Sequence, residues 1–197
     1  MKDLFVLTAD ADMQAVLKTI LARHQALGIR KISFLVDRHP MRDSGMVKDG
    51  PELARMQVQK DQYARLVLIW DHEGSGHQGE ASSAVAEITK RLDRASWIGR
   101  SGGIAIVPEL EEWIWHNPES VAKQLGLPRD RLDAEFARRD AAAGPKELLE
   151  YLFLRTLRRR PLPRDFEEIA SVASVRQWMA SESFGALVAM LRSWFPR

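Results

Sequence analysis

The sequence predicts an α/β protein: a mostly parallel four-stranded sheet flanked by helices, followed by a helical C-terminal part. Three observations point there. Four short, largely apolar runs (Leu4–Leu7, Ile32–Val36, Leu66–Trp70 and Ile104–Val107) have the continuous hydrophobicity of strands buried on both faces. Helical patterns separate them, as in a chain of β-α-β crossovers. Beyond Pro108 the patterns are helical only.

In chain order, the first strand gives way at Asp10 to a helical period. Met13, Val16, Leu17, Ile20, Leu21, His24 and Leu27 share one face, and Gly28 stops the helix. After the second strand, Asp37 to Gly50 holds Pro40, Ser44, Gly45 and Gly50, and reads as a long loop. Pro51 then opens a helix to about Tyr63. The third strand, Leu66–Trp70, leads into a polar loop over Asp71–Gly79, and a helix follows from Glu80 to about Ala95. Gly102-Gly103 precede the fourth strand, which Pro108 closes. Helices are expected over Leu110–Trp115, Glu119–Leu125 and Lys146–Arg158. A last one carries Phe184, Leu187, Val188, Leu191 and Trp194 on one face. Residues 1–117 form the α/β part, and 118–197 the helical part packed on it.

Composition narrows the function classes. The 197 residues are 45% hydrophobic and 28% charged, an ordinary globular balance. No apolar run approaches the ~20 residues of a membrane span. The N-terminal apolar stretch meets Asp10 and Asp12 at once, with no small-residue cleavage site, so a cytoplasmic protein is expected. The absence of cysteine excludes disulfides, thiolate zinc sites and a cysteine nucleophile. The net charge of +2 is too small to imply nucleic-acid binding by itself. The most basic stretch, Arg155, Arg158, Arg159, Arg160 and Arg164, reads first as a solvated helix end and second as a phosphate-backbone contact through Arg158, Arg159 and Arg160.

Ligands of parallel sheets bind outside the carboxyl ends of the strands, and acids collect at those ends here. Asp10 and Asp12 follow the first strand, Asp71 and Glu73 the third, and Glu109, Glu111 and Glu112 the fourth. Carboxylates converging on one edge repel one another unless a cation lies between them. Mg²⁺, a hard ion that takes oxygen ligands, suits such a set, and Mn²⁺ can replace it. The matching chemistry is metal-assisted phosphodiester hydrolysis. Helix capping by Asp10, Glu109, Glu111 or Glu112 is the competing account. His72 and His77 read as loop residues, and Ser75 lacks the flanking glycines of a nucleophile elbow. Trp70, Trp97, Trp113 and Trp115 read as core packing before base stacking.

The order of these segments resembles the Toprim fold of topoisomerases, primases and OLD-family nucleases. It is most similar to RloB-type Toprim proteins of bacterial phage-defence and restriction loci. Those chains carry a strand followed by E-G-x-x-[DE], a later strand ending in D-x-D, then P-x-x-E-x-W and S-x-S-F. The counterparts here are Thr8-Ala9-Asp10-Ala11-Asp12, Asp71-His72-Glu73, Pro108-Glu109-Leu110-Glu111-Glu112-Trp113 and Ser181-Glu182-Ser183-Phe184. The resemblance implies a Mg²⁺-dependent nuclease of an anti-phage defence system, with nucleic acid and other defence proteins as partners. Asp10, Asp71 and Glu73 would hold the metal, with Asp12 as a further acid or base and Glu111 in support. The family's first glutamate falls at Thr8 and its glycine at Ala9. A catalytically degenerate Toprim-like domain that binds nucleic acid or a partner is therefore the alternative, and a phosphatase on a similar sheet a third reading.

Overall fold

A computed structural model describes residues 1–138 and 144–197, without the side chains of residues 57–61 and 138. Its elements run β1 (Lys2–Thr8), α1 (Ala11–Ala22), α2 (His24–Leu27), β2 (Phe34–Arg38), α3 (Arg42–Asp61), β3 (Tyr63–Asp71), α4 (Ala81–Leu92), β4 (Ser101–Ile106), α5 (Glu111–Trp115), α6 (Pro118–Leu125), α7 (Arg129–Arg138), α8 (Pro145–Leu157), α9 (Pro163–Val172), α10 (Val175–Trp178) and α11 (Glu182–Trp194). A wide π-type turn, Asp93–Trp97, ends α4.

The four strands form one all-parallel sheet in the order β2-β1-β3-β4. Helices α3 and α4 cover one face, while α1 and α11 cover the other. The C-terminal helices complete the core: α9 packs along α1, and α8 packs against α5. One buried cluster runs from Leu4 on β1 to Phe195 after α11. Among the described residues no helix is long and apolar enough to cross a membrane.

Two expectations need correction. The expected loop over Asp37–Gly50 is mostly helix, because α3 begins at Arg42 and contains Pro51 rather than starting there. Proline has no N–H to give the carbonyl four residues back. Here the Arg91 guanidinium supplies the missing donor, bonding Val47 O at 2.5 Å, and also reaches Lys48 O at 2.7 Å. The glycines of this helix serve close approach: a Cβ on Gly45 would lie 2.2 Å from the His39 ring. Likewise Gly102 and Gly103 lie inside β4 instead of before it. A Cβ on Gly102 would fall 2.4 Å from Met190 Cε of α11, and one on Gly103 would fall 3.1 Å from the Trp70 ring. The two glycines admit large side chains from opposite faces.

Arg91→Ala should leave the Val47 carbonyl without a donor and remove the further bond to Lys48 O. A loss of about 1–3 kcal/mol is expected, read by urea unfolding with an unchanged m-value. Arg91→Lys should recover part of it.

Candidate functional site

The sheet order reverses direction between β1 and β3, so the crevice at their carboxyl ends is the topological switch point. Register places Thr8 beside Ile69, and β3 continues two residues further to Asp71. The N–H of Asp71 therefore has no β1 carbonyl to meet. It donates instead to Asp43 Oδ1 at 2.9 Å. Asp43 stands in the first turn of α3, inside the stretch read from sequence as a loop.

Asp71 is 7% exposed, and its Oδ1 has no hydrogen-bond partner. Burial, then the charges of Asp43, Asp10, Glu111 and Glu109, push its pKa up to about 9. Glu111, on α5, is also buried. Desolvation and the charge of Glu109 raise its pKa to about 8, against the pull of Lys146. Burial beside Asp10 lifts Asp12 to about 6, with Lys146 and Arg42 opposing. Burial likewise raises Asp43 and Glu109 above the ordinary carboxylate range. Asp10 performs the capping role, since its Oδ1 accepts the Met13 N–H at 2.9 Å, and its charge also reaches Asp71, Asp43, Glu111 and Asp12.

A cation enters this cluster from the helical half. Lys146, in the first turn of α8, donates its backbone N–H to Glu109 Oε1 at 3.1 Å and holds Nζ 3.8 Å from Glu109 Oε2. The charges of Glu111, Glu109, Asp71 and Asp10 outweigh its burial and raise its pKa.

The structure thus brings Asp10, Asp71 and Glu111 into one electrostatic cluster and adds Asp43, Glu109 and Lys146. Asp12 sits at its edge on α1. Glu73 lies past the end of β3, exposed, and its charge is felt at Glu109. Thr8, in the position of the family glutamate, is buried and ties strand ends together, donating to Asp37 O at 3.0 Å. The proximity of Asp43 was hidden by the Pro and Gly content around it. Lys146 lies far along the chain, with no local signal connecting it to the strand ends.

The other candidates make contacts within the fold. Ser75 donates to His72 O at 2.7 Å within the loop, and His77 Nε2 lies 2.7 Å from Ser83 Oγ. Trp70 and Trp113 are fully buried, and Trp115 Nε1 donates to Pro145 O. In the basic stretch, Arg159 clamps the buried Asp165 with bonds of 2.5 and 2.7 Å. Arg160 Nε lies 3.8 Å from Glu150, and Arg158 is the left-handed C-cap of α8.

Comparisons with protein-family models, curated proteins and solved structures found no match to this chain.

The raised pKa values fix the sign of a pH dependence. In the unfolded chain these carboxyls ionise near about 4; in the folded chain Asp71 holds its proton to about 9 and Glu111 to about 8. The folded state binds more protons across that window, so stability falls as pH rises through it. Asp71→Asn removes the largest contribution. It should exceed the unchanged protein by about 1–3 kcal/mol at pH 8 and converge with it near pH 4, measured by urea unfolding. In the basic stretch, Arg159→Ala should lower the Tm more than Arg158→Ala or Arg160→Ala, because only the first removes the cation paired with a buried carboxylate.

Proposed function

We propose that the crevice between β1 and β3 is a Mg²⁺- or Mn²⁺-dependent site for phosphodiester hydrolysis in nucleic acid, of the Toprim-like kind, in an anti-phage defence protein. The observation that carries this reading is the unpartnered Oδ1 of buried Asp71, surrounded by the charges of Asp10, Asp43, Glu109 and Glu111 at the switch point. An all-carboxylate donor set fits a hard divalent cation and no soft one. Among the described residues no three Asp, Glu or His side chains already surround one point as ligands. Sharing an ion therefore requires side-chain rotation, and the donor chemistry, not a finished cage, supports the proposal.

When bound, the ion would supply an activated water and neutralise charge on the phosphate. Asp71, Asp10 and Asp43 are the residues to hold it, with Glu73 within reach only as an outer acid. Glu111, which keeps its proton to about 8, suits transfer of a proton at neutral pH. The Lys146 ammonium, on the open side of Glu109, is placed to draw a phosphate toward the acids, and the exposed Arg42 beside Asp12 offers a second charge.

Thr8 in place of the family glutamate favours a second reading, in which a degenerate domain of the same fold binds nucleic acid or a partner without turnover.

Metal binding must displace protons from Asp71, so a Mg²⁺-induced rise in Tm should grow from pH 6 to pH 9. Asp71→Asn and Asp10→Asn should abolish it. Cleavage of single- or double-stranded DNA or RNA should require the ion, and Lys146→Ala should reduce cleavage by about 10²-fold while leaving the Tm shift in place. Absence of both shift and cleavage in the unchanged protein would select the second reading.

A further inference from the structure

Strand β4 is an edge of the sheet, with no strand paired on its outer side among the described residues. Leu66 N–H donates to Arg100 O at 3.1 Å and His72 N–H to Ile106 O at 2.8 Å, so the even-numbered residues of β4 face β3. Alternation turns the N–H and C=O groups of Gly103 and Ala105 away from the sheet. Natural edges are ordinarily blunted by charge, proline or a bulge. The strand Ser-Gly-Gly-Ile-Ala-Ile has no charge and no proline.

This edge floors a groove of about 730 Å³ between the first turns of α4 and α11. Ala81, Ser82, Ser183 and Ala186 line its walls beside the larger Val85 and Val107, and Gly103 and Ala105 lie on its floor. Three carboxylates line it, Glu80, Glu112 and Glu182, and no lysine or arginine does. Glu112 is held in place there: Ser181 Oγ donates to its Oε2 at 2.6 Å, and His116 Nε2 lies 2.6 Å from its Oε1.

We infer that the outer edge of β4, between α4 and α11, is a docking groove for an extended, lysine- or arginine-bearing segment of a partner protein, which adds to the sheet as a fifth strand. Backbone bonds to Gly103 and Ala105 supply the pairing, as in strand addition generally. The three glutamates select the charge. The same glutamates count against a second copy of this chain, which would bring its own acids to the groove, and against nucleic acid. The inference is independent of the acidic crevice and stands whether or not that site turns over.

The probe is a short capped peptide of alternating valine and threonine with lysine at each end, beside a twin with glutamate at each end. The lysine peptide should slow hydrogen exchange at the Gly103 and Ala105 amides and bind at least about tenfold more tightly than its twin. Ala105→Pro removes an outward N–H without touching the β3 ladder, and should abolish binding. Glu80→Lys and Glu182→Lys lie on exposed helix ends, so they decide the matter should the proline variant fail to fold: each should weaken the lysine peptide and strengthen the glutamate one. Equal binding of the two peptides, no protection at Gly103 and Ala105, or no effect of the charge reversals would overturn the inference. So would a dimer in sedimentation that Ala105→Pro disperses, because the occupant would then be a second copy.

Discussion

Strand β3 outruns strand β1 by two residues, and the backbone N–H this leaves at Asp71 organises the crevice around it. A buried N–H must find an acceptor. The neighbouring strand has ended, so the acceptor comes from a side chain, the Asp43 carboxylate at the start of α3. That solution carries a cost, since it sets one carboxylate beside the next. Asp71 is buried against Asp43 with Asp10 and Glu111 close enough to act on it, and its proton is retained far above the ordinary range. Burial is the larger cause of that shift, and the Asp43 charge brought in by the backbone bond adds to it.

The helical half of the chain offsets part of that charge. Glu109 and Glu111 follow β4 directly, yet they are steadied from Lys146, which opens α8. The sheet edge and the C-terminal helices are therefore coupled by electrostatics as well as by packing. Lys146 feels Asp71 and Asp10, residues of the first half of the chain, after the nearer Glu111 and Glu109. A group with this placement can serve either as a counter-charge for the acids or as a handle for an incoming phosphate. The first role costs nothing to the second, because its ammonium lies 3.8 Å from Glu109 and is not locked in a short bond.

The far side of the sheet is arranged on different terms. Gly102 and Gly103 let Met190 and Trp70 reach across β4, which brings α11 and α4 close to the strand on either face. Close covering of both faces leaves the edge, at the floor of its groove, as the side without a neighbouring strand. The glutamates around it make that opening negative, whereas the crevice holds its acids beside a lysine. The groove and the crevice thus differ in the kind of chemistry each can take.

Sequence alone determined the α/β class, the four strands and the edge on which the acids collect. Continuous apolar runs and helical periods are local properties, and the parallel arrangement follows from their alternation. It also placed Asp10, Asp71 and Glu111 together at one edge of the sheet. Tertiary structure decided the rest. Helix α3 runs through a mid-helix proline, and Arg91, forty residues away in the chain, satisfies the freed Val47 carbonyl; no local pattern encodes that. Gly102 and Gly103 read as a break because their reason for being glycine lies on α11 and β3. Asp43 and Lys146 join the acidic cluster through register and helix packing, and Arg159 is turned from a surface cation into the clamp on buried Asp165. Propensity and periodicity report what a segment can do by itself. Which carboxylate is buried, and which cation answers it, is set by contacts between segments distant in the chain.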